Sequence, residues 1–287
     1  MVILDFGDPG AQGGTYGANM DRNKGYISTS DINNAAYQFA ISWWIATGAN
    51  HTAHLTLVIG TNTYQNGVNA AHAAAWAQAV DPLHSNFALD YRGQVMVTAG
   101  IDAEIGASPW NPPSVDIAWV DGYIANGTCA PGKAATEAAC LYNFGNAQCP
   151  ETGFGNCDDG WSMDNLWYVS YGARESANTN PFVLPLPEIY NTIGSNARQW
   201  QNMSLYSATC ANPCQPAATG RSGAMHFVGA LTQYMACQQV ETQGQSCSGV
   251  DNDPTTGYLQ LASQLGNDNH TAQSVRWSTD IKYQTFP

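Results

Sequence analysis

The stretch Val95-Met-Val-Thr-Ala-Gly-Ile-Asp-Ala-Glu104 decides the fold that this sequence predicts. Residues Val95–Ile101 form one apolar run, which is typical of a strand that is covered on both faces, as in parallel sheets. Asp102 and Glu104 follow the run directly. Because residues i and i+2 of a strand share a face, both carboxylates are expected to point into the same mouth of the sheet. The alternative is a solvated acidic pair in a loop.

Short apolar runs alternate with longer mixed segments on both sides of this stretch, which is the pattern of repeated βα units. Eight strands are predicted, at Val2–Phe6, Leu55–Gly60, Val95–Ile101, Leu141–Phe144, Leu166–Tyr171, Phe182–Leu186, His226–Leu231 and Val275–Trp277. Helices are predicted at Asp31–Thr47, Asn69–Val80, Ser114–Ala125 and Tyr258–Leu265. Residues 126–165 are rich in Gly, Cys and Asn, which predicts loops pinned by disulfides.

This order of elements predicts an α/β protein, namely a single (β/α)8 TIM barrel over residues 1–287 with disulfide-pinned loops in its second half. Barrels of this kind need about 250 residues, and the chain has 287. The barrel is expected to form one catalytic domain. An open doubly wound sheet is the alternative.

The composition excludes several functional classes. Charged residues make up 11% of the chain, hydrophobic residues 44%, and the formal net charge is −13. The apolar share is too high for a disordered chain, and no apolar run approaches the roughly 18 residues of a membrane span. The negative charge argues against binding to nucleic acid, which needs clustered Lys and Arg. We therefore expect a compact acidic monomer without nucleic-acid or membrane partners.

All 8 cysteines lie in the second half of the chain, and each has a near neighbour in sequence. Such an even set predicts local disulfides and a secreted, extracellular protein, with free thiols or a metal site as the alternatives. We predict the pairs Cys129–Cys140, Cys149–Cys157, Cys210–Cys214 and Cys237–Cys247. Because Met1 opens directly into a strand-like segment, we expect a mature chain whose leader has been removed.

Polar residues follow the predicted strands repeatedly, and the catalytic side chains of barrels come from these carboxyl-terminal ends. Crowding of Asp102 and Glu104 is expected to raise the pKa of one carboxyl and so to keep a general acid protonated. The residues predicted to bind substrate are Asp5, Asn62, Tyr64, Trp110, Asn143, Tyr171, Tyr190, Gln233 and Asp280, and Arg174 holds a similar position.

Aromatic side chains near the strand ends could stack on sugar rings, with core packing as the alternative for each. The candidates are Tyr64, Trp110, Trp161, Tyr171 and Tyr190. Other residues are expected to lie in the core, namely Trp43, Trp44 and Trp76 on helices and His226 in its strand.

Glu188 belongs to a second candidate segment, Leu184-Pro-Leu-Pro-Glu-Ile-Tyr190. Two prolines remove donors from a strand ladder, so the strand is expected to be short, with Glu188 on a stiff segment beyond it. The sixth predicted strand stands three strands from the third, and Glu104 and Glu188 are therefore expected to face each other across the mouth. Two opposed carboxylates are the equipment of glycoside hydrolysis, although an ordinary loop glutamate is the alternative for Glu188.

The chain resembles glycoside-hydrolase-like TIM-barrel proteins of secreted, actinobacterial type. The resemblance runs through most of the chain, in the motifs Ile3-Leu-Asp-Phe-Gly7, Ala99-Gly-Ile-Asp-Ala-Glu104, Trp119-Val-Asp-Gly-Tyr123, Leu141-Tyr-Asn-Phe-Gly145, Leu184-Pro-Leu-Pro-Glu-Ile-Tyr190, Asn196-Ala-Arg-Gln-Trp200 and Trp277-Ser-Thr-Asp280. More distantly, Asp102-Ala-Glu104 resembles the D-x-E strand end of family 18 chitinases and family 25 muramidases. This resemblance implies that Glu104 is the general acid and that Asp102 assists it. Gly100 stands where the chitinase signature carries a further Asp.

These features predict a secreted glycoside hydrolase that cleaves a polysaccharide or oligosaccharide without a metal or cofactor. Glu104 would protonate the leaving oxygen, and Glu188 would act as the nucleophile or as the base toward water. The residues predicted to bind sugar hydroxyls are Asn143, Tyr171 and Gln233. One alternative is a non-catalytic barrel that binds carbohydrate or cell wall. The other is a metal-dependent hydrolase that uses Asp5, Asp102, Glu104 and Asp280.

Overall fold

A computed structural model describes residues 1–20, 25–48, 52–64, 67–90, 94–127, 140–173 and 181–283. Its strands are β1 Val2–Asp5, β2 Asp8–Gln12, β3 Thr15–Asn19, β4 Tyr26–Ser28, β5 Leu55–Asn62, β6 Val95–Asp102, β7 Leu141–Asn143, β8 Val183–Pro185, β9 Gly229–Thr232 and β10 Trp277–Asp280. Its helices are α1 Thr29–Ala46, α2 Ala70–Asp90, α3 Pro113–Asn126, α4 Met163–Trp167, α5 Ser195–Thr209, α6 Gln215–Ala218, α7 Tyr234–Glu241 and α8 Pro254–Gly266, with a π-helical turn at Tyr168–Gly172. The chain divides into two compact units, Met1–Asn143 with Ala173–Val183 and Phe144–Gly172 with Leu184–Pro287.

A five-stranded parallel sheet in the order β1-β5-β6-β7-β8 organises the first unit, in which β8 begins. Leu57 of β5 pairs with Val2 on one side and with Val97 on the other. Strands β5 and β6 are buried along almost their whole length, as their apolar runs predict. The α/β class with a parallel sheet is therefore confirmed.

Helices α2 and α3 approach each other closely in the first unit. Helix α3 begins at Pro113, where the missing N–H of proline leaves no helical hydrogen bond unmade. A Cβ atom on Gly122 would stand 2.6 Å from the carbonyl oxygen of Ala70, so only glycine permits this approach. The contact helps to bury the face of α3 that carries Asp116, Trp119 and Tyr123.

A three-stranded antiparallel sheet, β2-β3-β4, precedes α1 and is not predicted by the apolar pattern. Gly13 and Gly14 join β2 to β3, with φ angles of 59° and 83°. Two-residue hairpins of this kind need positive φ at both central positions, which glycine adopts without steric cost. The Gly-Gly pair signals a turn, but the polar strands beside it do not stand out from a loop.

The second unit contains a two-stranded parallel sheet of β9 and β10. The segment after β8 runs beside β9, because the Pro187 carbonyl accepts from the Leu231 N–H at 2.9 Å. The N–H of Ile189 donates in turn to the Leu231 carbonyl at 2.8 Å. Pro187 contributes a carbonyl to this ladder, so its lack of an N–H breaks no bond.

The prediction of a strand at Leu166–Tyr171 is wrong, because these residues lie in α4 and the π-helical turn. The Ser162 hydroxyl accepts from the Asn165 N–H, and the Asn165 side chain accepts from the Ser162 N–H. This capping box begins a helix at Met163. A short apolar run fits a strand and a buried helix equally well, and the capping residues decide between them.

The eight-strand prediction is confirmed only as far as an α/β fold with a parallel sheet. The described parallel strands form one sheet of five and one of two, and a closed barrel of eight is not among them. Three residues predicted to lie in the core are not buried. His226 precedes β9 and is exposed, and Trp43 and Trp44 are half-buried, whereas Trp76 is buried as expected.

Three of the four predicted disulfides are confirmed, namely Cys149–Cys157, Cys210–Cys214 and Cys237–Cys247. The predicted partner of Cys140, Cys129, lies outside the described residues. Within the described ranges, the helices lack the combination of length and apolar character that crossing a membrane would take.

Candidate functional site

The two acidic residues at the end of β6 lie side by side. Burial alternates along the segment, since Ala103 and Ile105 have no exposed surface while Asp102 and Glu104 are half-buried. One carboxylate oxygen of Asp102 lies within 4.8 Å of one of Glu104. The prediction that both side chains share one face is therefore confirmed.

The Thr63 hydroxyl fixes the backbone of this acidic pair. It donates to the carbonyl oxygen of Asp102 at 3.1 Å and accepts from the N–H of Glu104 at 3.3 Å. Thr63 is itself fully buried, and its carbonyl accepts from the Asn111 side chain at 2.7 Å. One buried side chain therefore holds both ends of the Asp102–Glu104 segment.

Asn143, predicted to bind sugar hydroxyls, is fully buried at the end of β7. Its side-chain oxygen accepts from the N–H of Ala103 at 3.3 Å. The structure thus brings Asn143 to the acidic pair and uses its amide oxygen to hold the residue between the two carboxylates.

The segments that carry the acidic pair are poor in positively charged side chains. Residues 25–91 and 93–132 include neither Lys nor Arg. The described parts of these segments therefore bring no Lys or Arg side chain to Asp102 or Glu104.

Asn62 at the end of β5 and Asp8 at the start of β2 form a hydrogen-bonded pair. The Asn62 side-chain nitrogen donates to an Asp8 carboxylate oxygen at 2.8 Å, and its oxygen accepts from the Tyr64 N–H at 3.0 Å. Asp5 is exposed at the end of β1, and its carboxylate accepts from the Gly7 N–H at 3.0 Å. Polar atoms of Asp5, Asn62 and Tyr64, three residues predicted to bind substrate, therefore make hydrogen bonds within the protein.

Tyr64 and Trp110 form an aromatic pair on the first unit. Their rings meet edge to face with centroids 4.9 Å apart, and their backbones form an antiparallel bridge. A Cβ atom on Gly106 would stand 2.5 Å from the Trp110 ring, so glycine at 106 lets the indole lie flat against the chain. Both rings are half-buried, and they are brought together as a rigid pair.

In the second unit, Glu188 is buried and hydrogen-bonded. Its carboxylate accepts from the Tyr190 hydroxyl at 2.7 Å, and its N–H donates to the Gly145 carbonyl at 3.3 Å. The backbone of Glu188 also pairs with that of Leu231. Glu188 therefore lies on a fixed segment beyond β8, as the two prolines predict.

Asp280 and Gln233 serve local structure in the second unit. The Asp280 carboxylate accepts from the N–H groups of Tyr234 and Met235, at 2.7 and 2.9 Å, at the start of α7. The Gln233 side chain donates to the Val250 carbonyl at 2.9 Å. These contacts occupy polar atoms of two residues that the sequence assigns to substrate.

Two of the aromatic candidates pack inside the second unit. Trp161 is 1% exposed and Tyr171 is 6% exposed. The Tyr171 ring lies in the π-helical turn and contacts that of His226, at 6.2 Å between centroids. Core packing therefore accounts for both, which leaves Tyr64, Trp110 and Tyr190 with partly exposed rings. Arg174 lies outside the described residues.

Three buried polar residues near these positions are missed by the sequence reasoning, namely Thr63, His72 and Asp116. Asp116 precedes the buried residues Trp119, Val120 and Tyr123 at helical spacing. An acidic residue on the apolar stripe of a helix is the signal that could have identified it. Thr63 carries no such signal, because threonine is common in strands and turns.

Comparison of the chain with protein-family models, with curated proteins and with solved structures finds no match in any of the three.

Proposed function

We propose that the protein is a secreted glycoside hydrolase that acts on a polysaccharide or oligosaccharide. One observation carries the proposal. Asp102 and Glu104 lie on one face at the carboxyl end of a buried parallel strand, with carboxylate oxygens within 4.8 Å. Paired carboxylates are the equipment of glycosidases, and the carboxyl ends of parallel strands are where α/β enzymes carry catalytic groups.

Glu104 is the proposed general acid, and Asp102 tunes it. Thr63 and Asn143 hold the backbone around both residues, which supports a role that depends on fixed geometry. The second proposed carboxylate is Glu188, as nucleophile or as base toward water. The Tyr190 hydroxyl orients it, and one well-defined rotamer suits either role.

The finer fold and location are part of the proposal. The five-stranded parallel sheet, together with the parallel ladder of β9 and β10, supports a (β/α)8 barrel like that of the glycoside-hydrolase-like proteins that the sequence resembles. The three disulfides support an oxidising, extracellular compartment. The net charge of −13 favours neutral or cationic glycans as substrates over polyuronates.

Hydrolysis of a panel of neutral, cationic and anionic glycans tests the proposal. The wild type should release sugars from a neutral or cationic member, and Glu104→Gln and Glu188→Gln should each lose about 100-fold or more in kcat. Glu241→Gln is the matched control, because Glu241 is exposed at the end of α7. Full activity in both site variants would sink the assignment, and faster cleavage of the anionic glycans would overturn the charge argument.

A metal-dependent hydrolase is the second candidate, and the acidic pair favours it too. Hard divalent cations bind clustered carboxylate oxygens, and Asp102 and Glu104 offer two on one face. Exhaustive chelation separates the two mechanisms. Activity that survives chelation supports the glycosidase, whereas activity that is lost and then restored by Mg²⁺ or Ca²⁺ supports the metal enzyme.

A further inference from the structure

Asp116 is a buried acid that the proposed chemistry does not use. It lies in the first turn of α3 with no exposed surface. Within the described part of the chain, neither of its carboxyl oxygens has a hydrogen-bond partner of regular geometry. An ionised carboxylate without partners is costly to bury, and burial raises the pKa of Asp116 well above its usual range.

The Thr63 hydroxyl lies near this carboxyl, and a hydrogen bond donated by Thr63 would lower the pKa of Asp116 against the larger effect of burial. The same hydroxyl holds the acidic pair. A hydroxyl has one hydrogen to donate and two lone pairs that accept. The hydrogen of Thr63 goes to the Asp102 carbonyl, which can only accept, and one lone pair takes the N–H of Glu104. Asp116 can therefore meet Thr63 only as a donor, and a carboxyl donates only when it carries a proton.

We propose that Asp116 is a positioning residue, a protonated carboxylic acid that donates to Thr63 and so holds Thr63 on the backbone of Asp102 and Glu104. This inference rests on the proposed function for its role in catalysis, but the proton on Asp116 does not depend on that function. Asp116 touches no substrate. It completes the hydrogen bonding of Thr63. Thr63 in turn fixes the backbone that sets the spacing of the Asp102 and Glu104 carboxylates.

Infrared difference spectroscopy of the full chain tests the proton directly. The spectrum of the wild type minus that of Asp116→Asn at pH 7 should show the carbonyl band of a protonated carboxyl. A carboxylate band in its place would overturn the proposal. Asparagine has the shape of the acid and cannot ionise, so this comparison does not depend on a drastic substitution that could prevent folding.

The amide resonances of Ala103 and Glu104 in ¹⁵N-labelled protein test the positioning. Asp116→Val and Thr63→Val should displace both resonances, because each removes a member of the chain of hydrogen bonds. The conservative variants Asp116→Asn, which keeps an N–H donor, and Thr63→Ser, which keeps the hydroxyl, should restore the wild-type resonances. Resonances that stay in place in both valine variants, or that move equally in the asparagine variant, would contradict the role.

Activity separates this inference from the proposed function. If the wild type cleaves a glycan, Asp116→Val should lower kcat by about tenfold or more, and Asp116→Asn should recover most of the loss. If no glycan is cleaved, the proposed function fails while the infrared and amide measurements still decide the state of Asp116. If the enzyme is active but the difference spectrum shows an ionised Asp116 at pH 7, the inference is wrong and the proposed function stands.

Discussion

The indole N–H of Trp119 donates a hydrogen bond to Nδ1 of His72 at 3.0 Å, inside the first unit. On the other side of the ring, Nε2 lies 2.8 Å from the Gly17 carbonyl oxygen, which can only accept. Nδ1 must therefore be unprotonated and Nε2 must carry the hydrogen, so His72 is neutral. Burial lowers its pKa to about 4, although the hydrogen bond to Gly17 acts in the opposite direction.

We predict that His72 adds a positive pH slope to the free energy of unfolding between pH 4 and pH 6.5. In this window the unfolded chain binds a proton at His72 and the folded chain does not. The contribution is about 1.4 kcal/mol per pH unit, or roughly 3 kcal/mol over the window, lost as the pH falls. Denaturant titrations of the wild type and His72→Gln at half-unit pH steps measure the difference in slope.

His54→Gln is the control for this series, because His54 is an exposed histidine of the same unit. It should leave the slope at its wild-type value. The quantity to compare is the change with pH, since His72→Gln also lowers stability at every pH by disturbing the packing. Equal slopes in wild type and His72→Gln would show that the ring is protonated in the folded state.

Asp116 should contribute the opposite slope. Its folded pKa is raised, so above pH 4 the folded chain keeps a proton that the unfolded chain has lost. The free energy of unfolding therefore falls by about 1.4 kcal/mol per pH unit until the pH reaches the folded pKa. Asp116→Asn removes this term and should be more stable than the wild type at pH 7.

The same denaturant titrations check the Asp116 term, with Asp121→Asn on the same helix as the control. Because the terms of His72 and Asp116 oppose each other between pH 4 and pH 6.5, the wild type should show a shallow profile there. The free energy of unfolding should then depend more steeply on pH in each single variant. It should rise with pH in Asp116→Asn and fall with pH in His72→Gln. The prediction would be contradicted if Asp116→Asn were less stable than the wild type at pH 7 and its free energy of unfolding had the same pH slope.

The parts of the fold that could be predicted are those whose signal is local. The apolar run Val95–Ile101 demands burial on both faces, and β6 follows it almost residue for residue. The position of Glu104 beside Asp102 could be predicted in the same way, since every second residue of a strand lies on the same face. The run Leu166–Tyr171 is also apolar, but it forms a helix because Ser162 and Asn165, which lie outside the run, cap the start of α4.

The supporting residues could not be predicted, because their roles are set by residues distant in sequence. Thr63 is 39 residues from the Asp102 carbonyl that it binds, and no motif in the sequence around Thr63 predicts this hydrogen bond. Asp280 shows that a strand-end position leaves the role of a residue open, because its carboxylate also accepts from backbone N–H groups at the start of α7. Position at a strand end predicts proximity to a site, whereas hydrogen bonding decides the role.

Asp280→Ala should lower stability without weakening substrate binding. The variant loses the carboxylate that accepts from the N–H groups of Tyr234 and Met235, and caps of this kind contribute about 1–2 kcal/mol. Thermal unfolding and KM on the best glycan of the panel are the two measurements. Asp253→Ala, which removes the cap of α8, should behave alike, and a raised KM in Asp280→Ala alone would restore the substrate role.

Tyr190→Phe should lower both kcat and the free energy of unfolding. The Tyr190 hydroxyl donates to the Glu188 carboxylate at 2.7 Å, and hydrogen bonds to charged groups are worth about 1.5–3 kcal/mol. If Glu188 reacts with substrate, a loss of about tenfold to 100-fold in kcat is expected. In Tyr258→Phe, which removes a hydroxyl bound to the Val275 carbonyl, kcat should not change. Equal kcat in both variants would argue that Glu188 is structural.

Trp110→Ala should weaken binding of a neutral oligosaccharide by about tenfold, equivalent to about 1.4 kcal/mol. The indole is half-buried, stands edge to face with Tyr64, and belongs to the unit that carries Asp102 and Glu104. Titration calorimetry with the best glycan of the panel measures the loss, and Trp110→Phe should recover part of it.

Gly106→Ala extends the Trp110 test without touching the ring itself, because the new Cβ would stand 2.5 Å from the indole and force it to move. It should weaken binding in the same direction as Trp110→Ala. Trp43→Phe is the control, since Trp43 is a half-buried indole on α1. Unchanged affinity in both the Trp110 and the Gly106 variants would assign the aromatic pair to packing alone, because a ring that stacks on sugar cannot be moved or removed without loss of contact.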